Sequence, residues 1–177
     1  PKYHRHIFLF LVFTSITSPV AADVFVAGLN AIDRSHYASA YRSFKPLAES
    51  GISEAQNNLG FLYENGLGVK RNYSVAIKWY EQAANQGLPE AQHNLGMLNY
   101  QGHGLSQSFS IARRWFNKSA KQDLRESHYM LGLMFFQGKG VQKSSIRASD
   151  HFSTAAKNGD PNALYMLAHM MISGDAE

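Results

Sequence analysis

Histidines are the side chains of this sequence that could most readily bind a metal ion or transfer a proton, because there are eight of them and no cysteine. The histidines beyond residue 22 are His36, His93, His103, His128, His151 and His169. No two of these are three or four positions apart, so none forms the ligand pair that a helix presents in sites such as HExxH. His103, between two glycines, is the most exposed candidate and has no companion ligand. The sequence therefore predicts neither a metal site nor a cofactor.

Serine and lysine offer no clearer route to catalysis. None of the nine lysines has a serine three residues before it, and the chain contains no GxSxG elbow and no GxxxxGK[ST] phosphate loop. The pair Gly66 and Gly68 resembles part of a dinucleotide fingerprint, but it follows a predicted helix rather than a strand and it recurs along the chain. We interpret the pair as a turn, and we predict that the chain is not an enzyme.

The charge balance argues against nucleic acid as a partner. The formal net charge is +4, and fifteen basic and thirteen acidic residues remain when Lys2 and Arg5 of the N-terminal segment are left out. The longest basic runs are the pairs at 70–71 and 113–114, which are typical of a solvated surface. A charge this small and this scattered does not form the basic patch that nucleic acid requires.

Residues 1–22 have the pattern of a secretory signal peptide. Lys2 and Arg5 give a basic start, residues 7–13 are an unbroken apolar run, and Ala21 and Ala22 are small residues suited to cleavage after Ala22. The apolar run is too short to cross roughly 30 Å of hydrocarbon, which needs about 20 residues. We therefore expect a periplasmic or secreted protein without stable membrane insertion after cleavage.

The rest of the chain repeats a pattern of small and apolar residues every 36 positions. One copy begins at Ala55, continues with Leu59 and Gly60, and ends at Gly87. The later copies place matching residues at Ala91, Leu95, Gly96, Gly102, Gly104, Ala112, Trp115, Leu131, Gly132, Gly138, Gly140 and Ala148. Self-similarity at a period in this range indicates a stack of helical repeats.

In order, the motifs LG, Y, GxGV, A, WY, AA and G resemble the Sel1-like repeat, a relative of the tetratricopeptide repeat. The resemblance covers most of the chain after about residue 25. It implies an all-α fold, a right-handed α-solenoid of antiparallel helix pairs with about nine helices after the signal peptide. We predict a degenerate N-terminal capping repeat at 23–51, full repeats at 52–87, 88–123 and 124–159, and a C-terminal half repeat at 160–177.

Each first helix of a repeat contains a glycine in its interior, at Gly60, Gly96 or Gly132. Glycine there lowers helix stability by about 1 kcal/mol relative to alanine. We therefore expect the second helix to approach closely at this point, with Ala76 and its equivalents on the opposite side. Gln92 is expected to lie on the exposed face of its helix.

The helix ends also carry sequence signals. Gly66 and Gly68 stand where the first helix must stop, and glycine adopts a positive φ without strain. Pro89 and Pro161 suit the first position of first helices. The predicted N-caps of the second helices are Asn72, Ser108 and Ser144.

By similarity to tetratricopeptide units, one set of side chains on the first helices lines the concave face. We call this set the stripe: Asn57, Phe61, Glu64, His93, Met97, Tyr100, Tyr129, Leu133, Phe136, Tyr165, His169 and Ile172. Members spaced i, i+4 and i+7 share one face of a helix. Aromatic residues and methionine are the types that contribute most to interfaces, so the stripe is a candidate partner-binding site. The alternative is that these side chains only pack between neighbouring repeats.

These observations favour a non-catalytic scaffold or adaptor of the cell envelope that binds a protein or peptide through its concave face. One alternative, suggested by resemblance alone, is an enzyme or binder acting on cell-wall fragments or β-lactams. Another is a fragment of a longer Sel1-repeat scaffold.

Overall fold

The structure is a computed structural model that describes residues 18–174. This part of the chain forms nine α helices and no strand. They are α1 (Pro19–Asp33), α2 (Tyr37–Glu49), α3 (Ser53–Asn65), α4 (Tyr73–Asn85), α5 (Pro89–Gln101), α6 (Phe109–Ala120), α7 (Arg125–Gln137), α8 (Ser145–Lys157) and α9 (Pro161–Ser173). The prediction of an all-α solenoid of helix pairs is confirmed.

The helices pack in chain order. Within the described residues, every extensive contact between helices joins one helix to the next along the chain. The pairs α1·α2, α3·α4, α5·α6 and α7·α8 each form one repeat, and α2·α3, α4·α5, α6·α7 and α8·α9 join successive repeats. Such nearest-neighbour packing is the defining property of a solenoid.

The predicted N-caps of the second helices are confirmed. Asn72 Oδ1 accepts a hydrogen bond from the backbone N–H of Val75 at 3.1 Å. Ser108 and Ser144 make the same bond at the starts of α6 and α8. These bonds satisfy N–H groups that have no partner inside the helix. The same device thus sets the start of the second helix in all three full repeats.

The other helix ends also follow the sequence signals. Pro89 and Pro161 are the first residues of α5 and α9. Gly66 ends α3 with a left-handed φ of 69°, and the equivalent glycines end α5, α7 and α9 in the same way. Asp123 replaces the glycine that closes the other repeats and still adopts a φ of 60°.

The glycines inside the first helices lie under aromatic rings. A Cβ atom built on Gly60 would be 2.8 Å from the ring of Tyr80, and one built on Gly96 would be 2.5 Å from the ring of Phe116. Gly132 has the same relation to Phe152. The expected close approach is therefore present, but the residue opposite is the buried aromatic of the second helix. The expectation that Ala76 and its equivalents take that place was wrong.

The first repeat keeps this contact although its loop is shorter. Three residues separate α1 from α2, whereas seven separate α3 from α4. Gly28 of α1 nevertheless lies under Phe44, with a Cβ-to-ring distance of 2.6 Å. Pro46 lies inside α2, as the sequence indicated. The degenerate repeat thus differs in its turn and not in the way its helices pack.

Helix α1 overlaps the end of the predicted signal peptide. Residues 1–17 lie outside the described part of the chain, and α1 begins at Pro19. Ala21 and Ala22 pack partly buried against the first hydrophobic cluster, so the predicted cleavage point after Ala22 falls within the first turns of α1. Cleavage at that bond stays a prediction.

Gln92 differs from expectation. It is buried, and its side-chain amide donates a hydrogen bond to the backbone carbonyl of Ala84 at 3.2 Å. Gln56 makes the same bond to Ala48 one repeat earlier, at 3.1 Å. The Ala84 carbonyl also accepts a hydrogen bond from the backbone N–H of Gly87 at 3.1 Å, so the glutamine supplies a second donor at the end of the second helix. The expectation that Gln92 is exposed was therefore wrong.

Candidate binding face

The stripe lies on α3, α5, α7 and α9, and most of its members on the first three of these helices are half-buried. Phe61, Met97, Tyr129, Leu133 and Phe136 pack with part of their surface against the hydrophobic clusters of the repeats. The same side chains therefore contribute to packing between helices and leave part of their surface open. The predicted packing between repeats is present, and binding of a partner by the stripe stays a prediction.

Glu64 is placed differently from the rest of the stripe. Its side chain is buried, with 9% of the residue exposed, and its Oε2 atom accepts a hydrogen bond from the Tyr80 hydroxyl at 2.7 Å. Tyr80 is the ring that covers Gly60. Glu64 is thus an internal partner of the α3·α4 pair and presents little surface to a ligand.

Polar members of the stripe connect neighbouring repeats. Asn94 donates its side-chain amide to Asn57 Oδ1 at 2.9 Å, which joins α5 to α3. His93 Nδ1 lies 2.9 Å from Ser127 Oγ on α7. These bonds cross from one repeat to the next and hold adjacent first helices at a fixed spacing.

The hydrogen-bond chain beyond His93 defines its tautomer. Ser119 Oγ donates to the carbonyl of Pro89 at 2.8 Å, and Ser127 Oγ donates to Ser119 Oγ at 2.8 Å. Because the single hydroxyl hydrogen of Ser127 is used in that bond, Ser127 accepts from His93, and the Nδ1 atom of His93 carries hydrogen. His93 is therefore held in one orientation from beneath the stripe.

Tyr100 lies between an aromatic ring and a lysine. Its ring meets Phe109 edge-on, with centroids 5.1 Å apart. Lys139 Nζ donates to the Tyr100 hydroxyl at 3.1 Å and lies 5.3 Å from the centre of its ring. The ammonium group therefore lies at the hydroxyl end of the Tyr100 side chain. The loop after α7 thus brings a positive charge to this edge of the stripe.

Tyr129 and Phe136 continue the stripe on α7. The Tyr129 ring packs against Phe152 at 5.7 Å between centroids, and burial raises the pKa of Tyr129 above its usual value. Phe136 meets His169 edge-on at 6.2 Å, and Lys143 Nζ lies 5.7 Å from the Phe136 ring. The α7 portion of the stripe is therefore aromatic, and a second lysine borders it.

The α9 portion is the most exposed. Tyr165 is 69% exposed and Ile172 is 89% exposed, and His169 is exposed as well. The rings of Tyr165 and His169 are 6.4 Å apart. His169 thus lies beside both Tyr165 and Phe136, and no other helix of the described chain covers this part of α9.

A pair of histidines that the spacing analysis missed joins α7 to α8. His128 Nδ1 and His151 Nδ1 are 3.1 Å apart, and His128 Nε2 is 3.0 Å from the carbonyl of Ala120. A carbonyl oxygen only accepts, so His128 Nε2 carries hydrogen. Neutral His128 then accepts at Nδ1, and His151 donates from its own Nδ1. The repeat phase was the available signal, since His128 takes the position of Gln92 and His151 precedes Phe152.

The pKa values of both histidines in this pair are lowered, which favours their neutral form. Burial is the main reason that the pKa of His128 and the pKa of His151 lie below 6.5, and the charge of His128 lowers the pKa of His151 further. Asp123 and Asp150 oppose the shift, each favouring protonation of its neighbouring histidine. The Arg147 guanidinium lies 5.5 Å from the ring of Phe135, which stacks on His151.

Neither a metal-binding cluster nor a membrane-spanning helix is found among the described residues. Between residues 18 and 174, no three histidine or acidic side chains come close enough together to hold a metal ion. None of the helices in this range is long and apolar enough to cross a bilayer. The arrangement defines a class of protein: a helix-pair solenoid whose first helices carry a row of partly exposed aromatic and polar side chains.

The family follows from comparison with known proteins. The Sel1 repeat model matches residues 53–88, 89–124 and 125–160, so the chain belongs to the Sel1 repeat family. Sel1 repeats in general mediate protein interactions, and proteins built from them are generally non-catalytic scaffolds. No curated protein matches the sequence.

Solved structures show the same architecture. A Sel1 repeat protein from Oxalobacter formigenes is 30% identical, with a TM-score of 0.77 over 86% of this chain and 63% of its own. A protective antigen of uropathogenic Escherichia coli strains with an SLR fold is 31% identical, with a TM-score of 0.79 over 87% of this chain and 34% of its own. This chain therefore spans less than two thirds of either relative.

A more distant structure, cysteine-rich protein B of Helicobacter pylori, shares the fold at 20% identity. Its TM-score is 0.55, over 84% of this chain and 97% of its own. This sequence has no cysteine, so its repeats are held together without disulfides.

Proposed function

We propose that this chain is a non-catalytic scaffold of the cell envelope that binds a protein or peptide partner along the stripe, on the concave face of the solenoid. The observation that carries the proposal is the row of incompletely buried side chains on successive first helices. Tyr100 and Phe136 are members of this row, and each is anchored on one side by its own repeat. Side chains fixed in this way lose little freedom when a ligand covers their open side.

The chemistry of the row favours a protein ligand. Aromatic residues dominate the energy of most protein interfaces, and each stripe helix from α5 onward contributes at least one. Asn57 and His93 add polar groups that are already oriented by bonds between repeats. An aromatic surface with a few fixed polar groups suits a peptide that has both apolar side chains and an exposed backbone.

Two lysines give the row a charge preference. Lys139 and Lys143, from the loop between α7 and α8, lie against the rings of Tyr100 and Phe136. Glu64, the acidic member of the stripe, is buried. We expect a partner segment to carry acidic side chains beside its apolar ones, because complementary charges orient an encounter.

The envelope location rests on the N-terminal segment. A basic start, an apolar run at residues 7–13 and the small residues Ala21 and Ala22 are together typical of export. The partner is therefore expected among periplasmic or surface proteins.

The proposal is tested by capture from an envelope fraction with wild-type protein and matched variants. Phe136→Ala and Tyr100→Ala are each expected to weaken binding by about 1–3 kcal/mol, since they remove aromatic contacts near the middle of the row. Lys78→Ala changes an exposed residue on the second helix α4, and it should bind as wild type does.

Circular dichroism of the same variants separates binding from folding. A discrete protein retained by wild type and Lys78→Ala, and lost by folded Phe136→Ala, supports the proposal. Equal capture by all folded variants would move the site away from the stripe.

A further inference from the structure

The helices of this chain are sorted by charge. The second helices α2, α4, α6 and α8 together carry eight basic and three acidic residues, whereas the first helices α3, α5 and α7 carry one basic and four acidic residues. The loop residues Lys139 and Lys143 border the stripe and reduce this difference without reversing it. Positive charge is therefore concentrated on the second helices, and negative charge on the first helices.

The repeat brings together cations that are scattered along the sequence. Arg114, Lys118 and Lys121 follow the i, i+4, i+7 spacing that places side chains on one face of α6 and its C-cap. Lys78 stands 36 positions before Arg114 and so has the same place on α4. All four residues are exposed. We call Lys78, Arg114, Lys118 and Lys121 the basic face.

The charges of the basic face are not neutralised by the chain itself. Between residues 18 and 174, none of its four cations forms an ion pair with an acidic side chain. Lys45 of α2, in contrast, lies 3.8 Å from Glu49. The acidic residues closest in sequence to the basic face are Glu81 and Asp123, and both are exposed to water. Exposed cations gathered in this way produce a positive potential that attracts anionic surfaces.

An aromatic ring lies within the basic face. Trp115 is half-buried against the second hydrophobic cluster, and Lys118 Nζ lies 4.3 Å from the centre of its ring. Tryptophan and lysine are both residues that anchor proteins at the boundary between lipid headgroups and water. The composition of this surface therefore suits lipid headgroups as well as simple anions.

We propose that the basic face binds the surface of an anionic lipid bilayer. Clusters of about four to eight basic residues are typical of segments that bind anionic headgroups. A negatively charged plane attracts the second helices and repels the acidic first helices, so it holds the protein in one orientation, with the first helices turned away from the lipid. The inference uses the proposed envelope location, but it does not require that the stripe binds a partner.

Co-sedimentation of the purified protein with vesicles tests the proposal. Wild type is expected to bind vesicles that contain phosphatidylglycerol, to stay in solution with vesicles of phosphatidylcholine alone, and to dissociate as salt is raised. The double variant Arg114→Gln, Lys118→Gln should bind at least about tenfold more weakly, because each cation near an anionic surface contributes about fivefold. The matched control Lys70→Gln, Lys143→Gln removes the same charge from exposed loop residues and should bind as wild type does.

A fluorescent label tests the orientation, since the natural sequence has no cysteine to compete for it. A nitrobenzoxadiazole dye on Asn117→Cys, at an exposed position of α6 between Arg114 and Lys121, should shift its emission to the blue when phosphatidylglycerol vesicles are added. The same dye on Gln101→Cys, at the exposed end of the first helix α5, should keep its emission.

Four results would overturn the proposal. They are no binding of wild type to phosphatidylglycerol vesicles, equal binding to phosphatidylcholine, equal weakening in both folded double variants, and tighter binding to a duplex DNA oligomer than to the vesicles. Loss of partner capture with vesicle binding intact would contradict the proposed function of the stripe and leave the basic face as the membrane-binding surface.

Discussion

At the scale of single residues, the histidine pair between α7 and α8 is the clearest case of chemistry created by packing. His128 occupies the position where Gln56 and Gln92 bond to the carbonyl at the end of a second helix, and its Nε2 atom makes the same bond. The imidazole of His128 therefore replaces the glutamine amide as the hydrogen-bond donor. A titratable side chain makes this structural hydrogen bond. A neutral His128 can both donate to Ala120 and accept from His151.

The pair makes stability depend on pH. The pKa values of His128 and His151 are lowered by burial, so below 6.5 the unfolded chain binds more protons than the folded chain does. This contribution to stability is fully present above pH 6.5 and is lost as pH falls through the lowered pKa values. We expect the melting temperature to fall as the pH is lowered from neutral to mildly acidic.

Two substitutions test this pH dependence, and each introduces the residue that the other repeats have at the same position. His128→Gln keeps the donor to Ala120, and His151→Trp restores the residue found at positions 79 and 115. Thermal melts of the double variant should lose the part of the pH dependence that lies just below neutrality. If its melting temperature falls as steeply as that of wild type, other groups are responsible.

At the scale of helices, each pair depends on one glycine under one ring. Gly96→Val is expected to lower the free energy of unfolding by about 1–3 kcal/mol, because its side chain would overlap Phe116. Denaturant titration measures the effect. Gln101→Ala, at the exposed end of the same helix, should change stability by at most roughly 0.5 kcal/mol.

A double variant identifies the contact. Phe116→Leu in the Gly96→Ala background should be less damaging than the two single changes predict together, since a smaller side chain gives the new methyl group room. Strict additivity would show that the ring of Phe116 does not limit the approach of the two helices.

At the scale of the whole molecule, the sequence was most informative where one requirement recurs in every repeat. Gly60, its equivalents and the caps Asn72, Ser108 and Ser144 stand at a fixed period, so the helix count and turns could be predicted. The choice of the first helices for the stripe came from similarity to tetratricopeptide units, and the alignment of its members between repeats came from periodicity. Periodicity indicates which side of a helix a residue occupies. The pattern of hydrophobic residues then indicates which side chains are buried.

Polar residues are where this reasoning failed. Glu64 and Gln92 have the composition of surface residues, but each is buried because it meets a particular group on another helix, the Tyr80 hydroxyl or the Ala84 carbonyl. The His128–His151 contact likewise depends on how far α8 is rotated against α7. Such pairings are set by tertiary geometry, which a one-dimensional period does not contain.

The N-terminal segment yields a prediction for the protein as a whole. Mature protein recovered from the periplasm is expected to begin at Asp23, because Ala21 and Ala22 are small residues at the positions before the predicted cut. Intact-mass analysis decides this directly. A chain that retains residues 7–13 and stays with the membrane would contradict both the cleavage and the proposed location.

The packing of each helix on its sequence neighbours has a consequence for how the chain reaches its fold. All extensive helix contacts in the described residues span at most the length of two adjacent helices and their loop, so the contact order is low. Chains of this kind close short loops before long ones and fold quickly for their size. A single repeat unit can form on its neighbour as synthesis proceeds, and a gain or loss of one 36-residue period changes the length of the stack while the remaining contacts keep their partners.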